Sequence, residues 1–151
     1  FILMKAVLYL LNRRKNKMRK IKFKGQVIGG HGKWIYGNSL IQNDAGTKYI
    51  GDNIAPSKIN ESNVHEVVHV CVFTGSKDCD GNEIYEGDIL GGCNGSINGI
   101  EWPQFPFEVI YKNNEFNIPL WGTYGKGDST HYLRVIGNRF DNPELLNNKG
   151  K

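Results

Sequence analysis

Polar and apolar residues alternate over Lys20-Ile21-Lys22-Phe23-Lys24. That two-residue period belongs to a strand with one face buried, here the face carrying Ile21 and Phe23. Gly29-Gly30-His31-Gly32 interrupts it as a turn, and Trp34-Ile35-Tyr36 follows as a second short strand. Gly37-Asn38 turns again into Ser39-Leu40-Ile41-Gln42, so this part reads as a meander. Residues 43–63 are polar and irregular, with strand character only near Tyr49-Ile50, and read as a connection. Val64 to Phe73 is rich in β-branched residues and predicts a strand. Ser76 to Asn82, with Asp80-Gly81 inside it, predicts a hairpin-type turn. Ile84-Tyr85 then leads through Glu86-Gly87-Asp88 into Ile89-Leu90. After a Gly/Asn/Ser loop at 91–99, strands are expected at Ile100-Glu101-Trp102, over 107–111, over 116–120 and over 133–136. Asp141 or Asn142 can cap a short helical turn with Pro143 at its first position. The predicted fold is mainly β: a short N-terminal meander, a small barrel-like C-terminal roll, and one terminal helical turn.

Composition agrees with this pattern. The 151 residues suffice for one ordinary domain with a core that needs no staples. Nineteen glycines against two methionines favour strands joined by tight turns. The formal charge of +4 points toward nucleic acid until its distribution is considered. Nine of the nineteen basic residues lie in the first 24 positions, where no acidic residue occurs. If Arg13-Arg14 is encoded AGG-AGG, it is a ribosome-binding sequence suitably placed for initiation at Met18. Residues 1–17 are then expected to be a non-native upstream extension; the alternative is an amphipathic helix from Ile2 to Arg14. Without them five basic residues drop out, leaving 14 against 15 acidic and a net charge of −1. Nucleic acid is therefore not supported after Met18. The apolar run Phe1–Leu11 is too short to span a bilayer, and its positive charge follows rather than precedes it, unlike a signal peptide. The expectation is a soluble protein of the bacterial cytoplasm with no membrane partner. Cys71, Cys79 and Cys93 include no CxxC pair and read as three ordinary thiols in a reducing compartment.

Several blocks, taken in order, carry a family resemblance. They are Met18-Arg19-Lys20-Ile21-Lys22-Phe23, Trp34-Ile35-Tyr36-Gly37, Phe73-Thr74-Gly75 with Lys77-Asp78, Asp80-Gly81-Asn82-Glu83-Ile84-Tyr85-Glu86-Gly87-Asp88-Ile89, Val135-Ile136-Gly137-Asn138 and Asn142-Pro143-Glu144-Leu145-Leu146. The chain resembles the YopX family of phage and prophage proteins from Met18 to Leu146. The resemblance implies a start at Met18 and a C-terminal part that is a small roll of the Src-homology-3 type. It divides the chain into 1–17, an N-terminal meander and connection at 18–63, the roll at 64–146 and a tail at 147–151. Thr74, Gly75, Asp78, Gly81, Glu86, Gly87, Asp88, Gly137, Asn138 and Pro143 are expected to be structural residues of its motifs. Cys71 and Val72 depart from the family pattern, and 91–99 is one of its variable stretches. No activity is implied.

The remaining motifs offer little chemistry. His65-Glu66-Val67-Val68-His69 matches HExxH, the signature of zinc metalloproteases. That motif needs a helix, where residues four apart lie about 6 Å apart at Cα and both imidazoles reach one ion. On a strand the same residues stand roughly 13 Å apart. The flanking valines favour a strand, so His65 and His69 are disfavoured as metal ligands and a zinc hydrolase is the weakest alternative. Asp78, Asp80, Asn82 and Glu83 resemble an acidic cation loop but lack its glycine and glutamate spacing, and read as a hairpin turn with Gly81 at positive φ. Glu86 and Asp88 could act as paired carboxylates, yet Asp88 entering a strand more simply ties down backbone N–H groups. The 91–96 glycines lack the lysine of a phosphate-binding loop, a Cys93–His131 pair has no local support, and His31 reads as an exposed turn residue. Aromatics are plentiful, and Trp102, Phe105 and Trp121 are candidates for an exposed patch. The reading is a non-enzymatic phage accessory protein with no cofactor and no metal. Its expected partner is its own copies or a host or phage protein, with a nucleic-acid-binding small β-barrel as the other alternative.

Overall fold

The short apolar runs between glycines form antiparallel strands. The computed structural model of the chain describes residues 20–52, 64–93, 106–117 and 133–147. Expectations for 1–17, for the strand at 100–102 and for Trp102, Phe105, Trp121 and His131 lie outside the described residues. Strands β1 (Phe23–Val27), β2 (Trp34–Gly37), β3 (Ser39–Gln42) and β4 (Lys48–Gly51) precede the 14-residue β5 (Val64–Lys77). They form one sheet in the order β2-β1-β5-β4-β3. The two outer strands, β2 and β3, are consecutive in sequence, so the sheet must curl. It curls around Ile50, which is fully buried. Glycines at the tightest points permit this: a Cβ on Gly25 would lie 2.8 Å from Val67 Cβ and 2.9 Å from Ile50 Cδ1, and one on Gly37 would collide with the Gly51 carbonyl. β2 and β3 pair with β1 and β4 but not with each other, and no closed barrel forms among the described residues.

The meander and the C-terminal part share β5. Its first half pairs with β4 and β1, and its second half pairs with β6 (Glu83–Tyr85). The register against β1 slips between Gln26↔Val68 and Lys24↔Cys71. The extra β5 residue is accommodated at a bulge where His69 takes φ +51°. A second irregularity between Phe73 and Lys77 contains Gly75, at φ +93°. β7 (Asp88–Gly92) then lies between β8 (Phe107–Glu108) and β11 (Leu133–Asn138) in a second sheet. β9 (Tyr111–Lys112) and β10 (Glu115–Phe116) form a hairpin whose turn, Asn113-Asn114, has both φ angles positive, as a two-residue hairpin loop prefers.

Two buried clusters underlie this arrangement. Ile84, Leu90, Val109 and Leu133 pack beneath the second sheet, and Cys71, Phe73 and Tyr85 pack with Trp34 and Phe140 between the two sheets. The terminal helical turn is a 3-10 helix, Pro143–Leu146, with Asn142 at its N-cap but no side-chain capping bond. Asn142 Oδ1 accepts instead from the Asn138 N–H, at 3.4 Å.

Two expectations need correction. Alternation placed Ile21 inside and Lys24 outside, yet Ile21 is 65% exposed and Lys24 only 6%. The period identified the strand, but a buried carboxylate selected its inner face. The cysteines are not three thiols: Cys79 is bonded to Cys93, and Cys71 alone is free.

Candidate functional site

The most concentrated polar chemistry lies between the sheets. β1 turns Lys24 inward, and its ammonium pairs with Asp88 at the start of β7. The same ammonium sits 5.1 Å from the Trp34 ring centroid and 5.3 Å from that of Tyr85, so aromatic faces replace lost water. The second Asp88 oxygen accepts the Tyr85 N–H at 2.7 Å. Burial pushes the Asp88 carboxyl above its ordinary range, and Lys24 opposes that shift. Tyr85 donates its hydroxyl to Glu83 at 2.8 Å, and burial together with that carboxylate pushes its pKa up. Burial also raises Glu83, but its bonds to Lys22 and Tyr85 outweigh this and hold it low. Beneath them Cys71 is buried with its thiol pushed up to about 12, mainly by desolvation. Each polar group here is engaged by a neighbour, and the geometry is that of an internal latch.

A second hub closes the β5–β6 turn. Asp78, 3% exposed, accepts the Asp80 N–H at 2.9 Å, the Asn82 N–H at 2.8 Å, the Asn82 amide at 3.1 Å and the Val135 N–H at 3.1 Å. Burial raises this carboxyl, and the hydrogen bonds overcome that and bring it below 3.8. Gly81 follows at φ +85°, and Asp80 takes a bidentate hold on Arg134 at 2.6 and 3.1 Å. The Thr74 hydroxyl donates to the Ile84 carbonyl at 2.8 Å. In the next turn the Glu86 N–H donates to the Val72 carbonyl, while Gly87, at φ +80°, donates its N–H to the Val109 carbonyl and accepts the Arg139 N–H. Asn138 Oδ1 accepts the Phe140 and Asp141 N–H groups, and Gly137 leaves room for Asn142 and Leu145. Pro143 opens the 3-10 helix.

A family model described as YopX protein matches residues 31–147. The chain belongs to the YopX family. No curated protein matches it. The YopX match runs from the β1–β2 turn to the 3-10 helix and takes in Asp78 and Asp88, while Lys24 lies before it.

In this YopX chain the HExxH residues lie on a strand throughout. His65 stands opposite Ile50 in β4, and His69 occupies the bulge with its ring stacked on Phe140 at 4.2 Å. They are not on successive turns of a helix, and no group of three His, Cys, Asp or Glu that could hold a metal occurs among the described residues. Cys93, in a disulfide, is not a free nucleophile. His31 lies in the exposed β1–β2 turn at φ +49°. Glu86 and Asp88 are parted by their environment, one half-buried in a turn and the other fully buried.

Sequence reading missed Lys24, Trp34 and Asp141 as connectors. Asp141 accepts the Trp34 indole N–H at 2.7 Å, the Gln26 amide at 3.1 Å and the Asn138 amide at 2.7 Å. It thereby ties the C-terminal segment to the N-terminal sheet. A lysine inside an alternating strand and an aspartate two residues before a proline carry no local mark of such roles. No helix among the described residues is long and apolar enough to cross a membrane.

Proposed function

We propose that this YopX chain is a non-enzymatic accessory protein of a phage or prophage that works in the bacterial cytoplasm through protein contacts. Its partners are copies of itself or another phage or host protein. The observation that carries the reading is how its side chains are used. Asp78, Glu83 and Asp88, the carboxylates best placed for chemistry, are each occupied in holding turns and sheets together. Apolar side chains meanwhile face outward from the N-terminal sheet. Ile28 and Val68, 51% and 40% exposed, line an open groove of about 480 Å³ with Ala45, Glu66 and His69, and Tyr36 is 60% exposed. Exposed apolar area gains roughly 25 cal/mol per Å² when covered, which favours association.

Light scattering of the full chain across a concentration series tests this. A discrete oligomer that Ile28→Asp/Val68→Asp shifts toward monomer, with an unchanged melting temperature, is the expected result. If the chain stays monomeric, the immobilised protein should retain a partner that the same double variant loses. A monomer with no retention sensitive to those substitutions overturns the reading.

A further inference from the structure

Cys79 lies in the turn after β5 and Cys93 follows β7; they are 14 residues apart, with Cα atoms separated by 6.7 Å. That separation lies within the span a disulfide bridges without backbone movement. Three chain segments meet at the bond. The Cys79 N–H donates to the Leu133 carbonyl at 2.9 Å, and Leu133 is the register partner of Gly92, the residue before Cys93. Asp78 holds the Val135 N–H, and Asp80 holds Arg134. Both bonded cysteines are partly exposed, within reach of a small thiol, whereas Cys71 is 2% exposed. With its thiol pushed to about 12, Cys71 offers too little thiolate to compete in exchange.

We propose that Cys79 and Cys93 form a reversible thiol–disulfide clasp, in exchange with a glutathione-type pool, that fastens the β5–β6 turn to the joined ends of β7 and β11. In the closing direction one cysteine thiolate attacks glutathione disulfide, forms a mixed disulfide and expels one glutathione thiolate. The other cysteine thiolate then attacks the protein sulfur and expels the second glutathione. Two electrons and two protons pass from the protein dithiol to glutathione disulfide, which leaves as two molecules of glutathione, and opening is the reverse. Closing the loop restricts the unfolded chain, so the oxidised form should melt roughly 6–12 °C above the reduced form. The Asp78 and Arg134 contacts do not depend on the bond, so opening should loosen this corner without unfolding the chain.

The test is to equilibrate the full chain in disulfide-rich and thiol-rich glutathione buffers, block free thiols under denaturing conditions, and map them by mass spectrometry alongside melting curves. Expected are a Cys79–Cys93 link with free Cys71 in the first buffer, three blocked thiols in the second, and the stated difference in melting temperature. Cys71→Ser should preserve that difference, and Cys79→Ser/Cys93→Ser should abolish it; if the double variant does not fold, the wild-type comparison decides alone. Three free thiols in the disulfide-rich buffer, a link through Cys71, a bond that survives the thiol-rich buffer, or equal melting temperatures would overturn the proposal.

Discussion

Lys24 illustrates how a single residue can invert the reading of its strand. Its neighbours Phe23 and Ile21 are more apolar, yet Lys24 occupies the interior because Asp88, Trp34 and Tyr85 converge on its ammonium. A buried pair of this kind need not add stability over an apolar pair, but removing one member strands the other charge. Lys24→Met is therefore expected to destabilise the fold by about 3–5 kcal/mol in urea denaturation. Lys24→Met/Asp88→Asn should recover more than half of that loss, because the asparagine oxygen can still accept the Tyr85 N–H without carrying a charge. A double variant no more stable than Lys24→Met would show that charge stranding is not the cause.

At the scale of elements, the curl of the first sheet depends on close backbone approach. Gly37 ends β2 against the Gly51 carbonyl that ends β4, so a methyl group there has to part the two strands. Gly37→Ala should cost about 1–3 kcal/mol, as overpacking does, and should speed amide exchange in β2 and β4 more than in β7 or β11. Equal acceleration in all four strands would contradict a local cause. The bulge in β5 is a second such device. It places His69 at positive φ and brings its ring onto Phe140, a contact between residues 71 positions apart in the chain.

For the whole molecule, the decisive feature is that β5 belongs to both halves. It is the central strand of the first sheet and continues into the pairing with β6. The carboxylates held low are spread across the same structure: Asp78 and Glu83 at the β5–β6 turn, and Asp141 in the C-terminal segment, where three hydrogen bonds overcome the effect of burial. Groups with lowered folded pKa values contribute stability above their ordinary values of 3.8 and 4.5, and that contribution is lost as pH falls through the folded values. Acid should therefore destabilise the fold progressively below about pH 4.5. With β5 shared, indole fluorescence and the far-ultraviolet strand signal should report one coincident acid transition. Two separated transitions would mean that the halves unfold independently.

What the sequence determined by itself is local. Period-two patterning, β-branched runs and turn residues located the strands at 34–36, 64–73 and 133–136, the hairpin at Asp80-Gly81, and a family resemblance that the match over residues 31–147 bears out. β-branched flanks also implied an extended HExxH segment, because propensity acts over a few residues. Only the tertiary structure decided which face of β1 is buried, which cysteines are joined, and that the sheet curls without closing. Those outcomes depend on partners 14 to 64 residues away, brought together by packing, and no pattern within a strand encodes the position of a distant carboxylate or thiol.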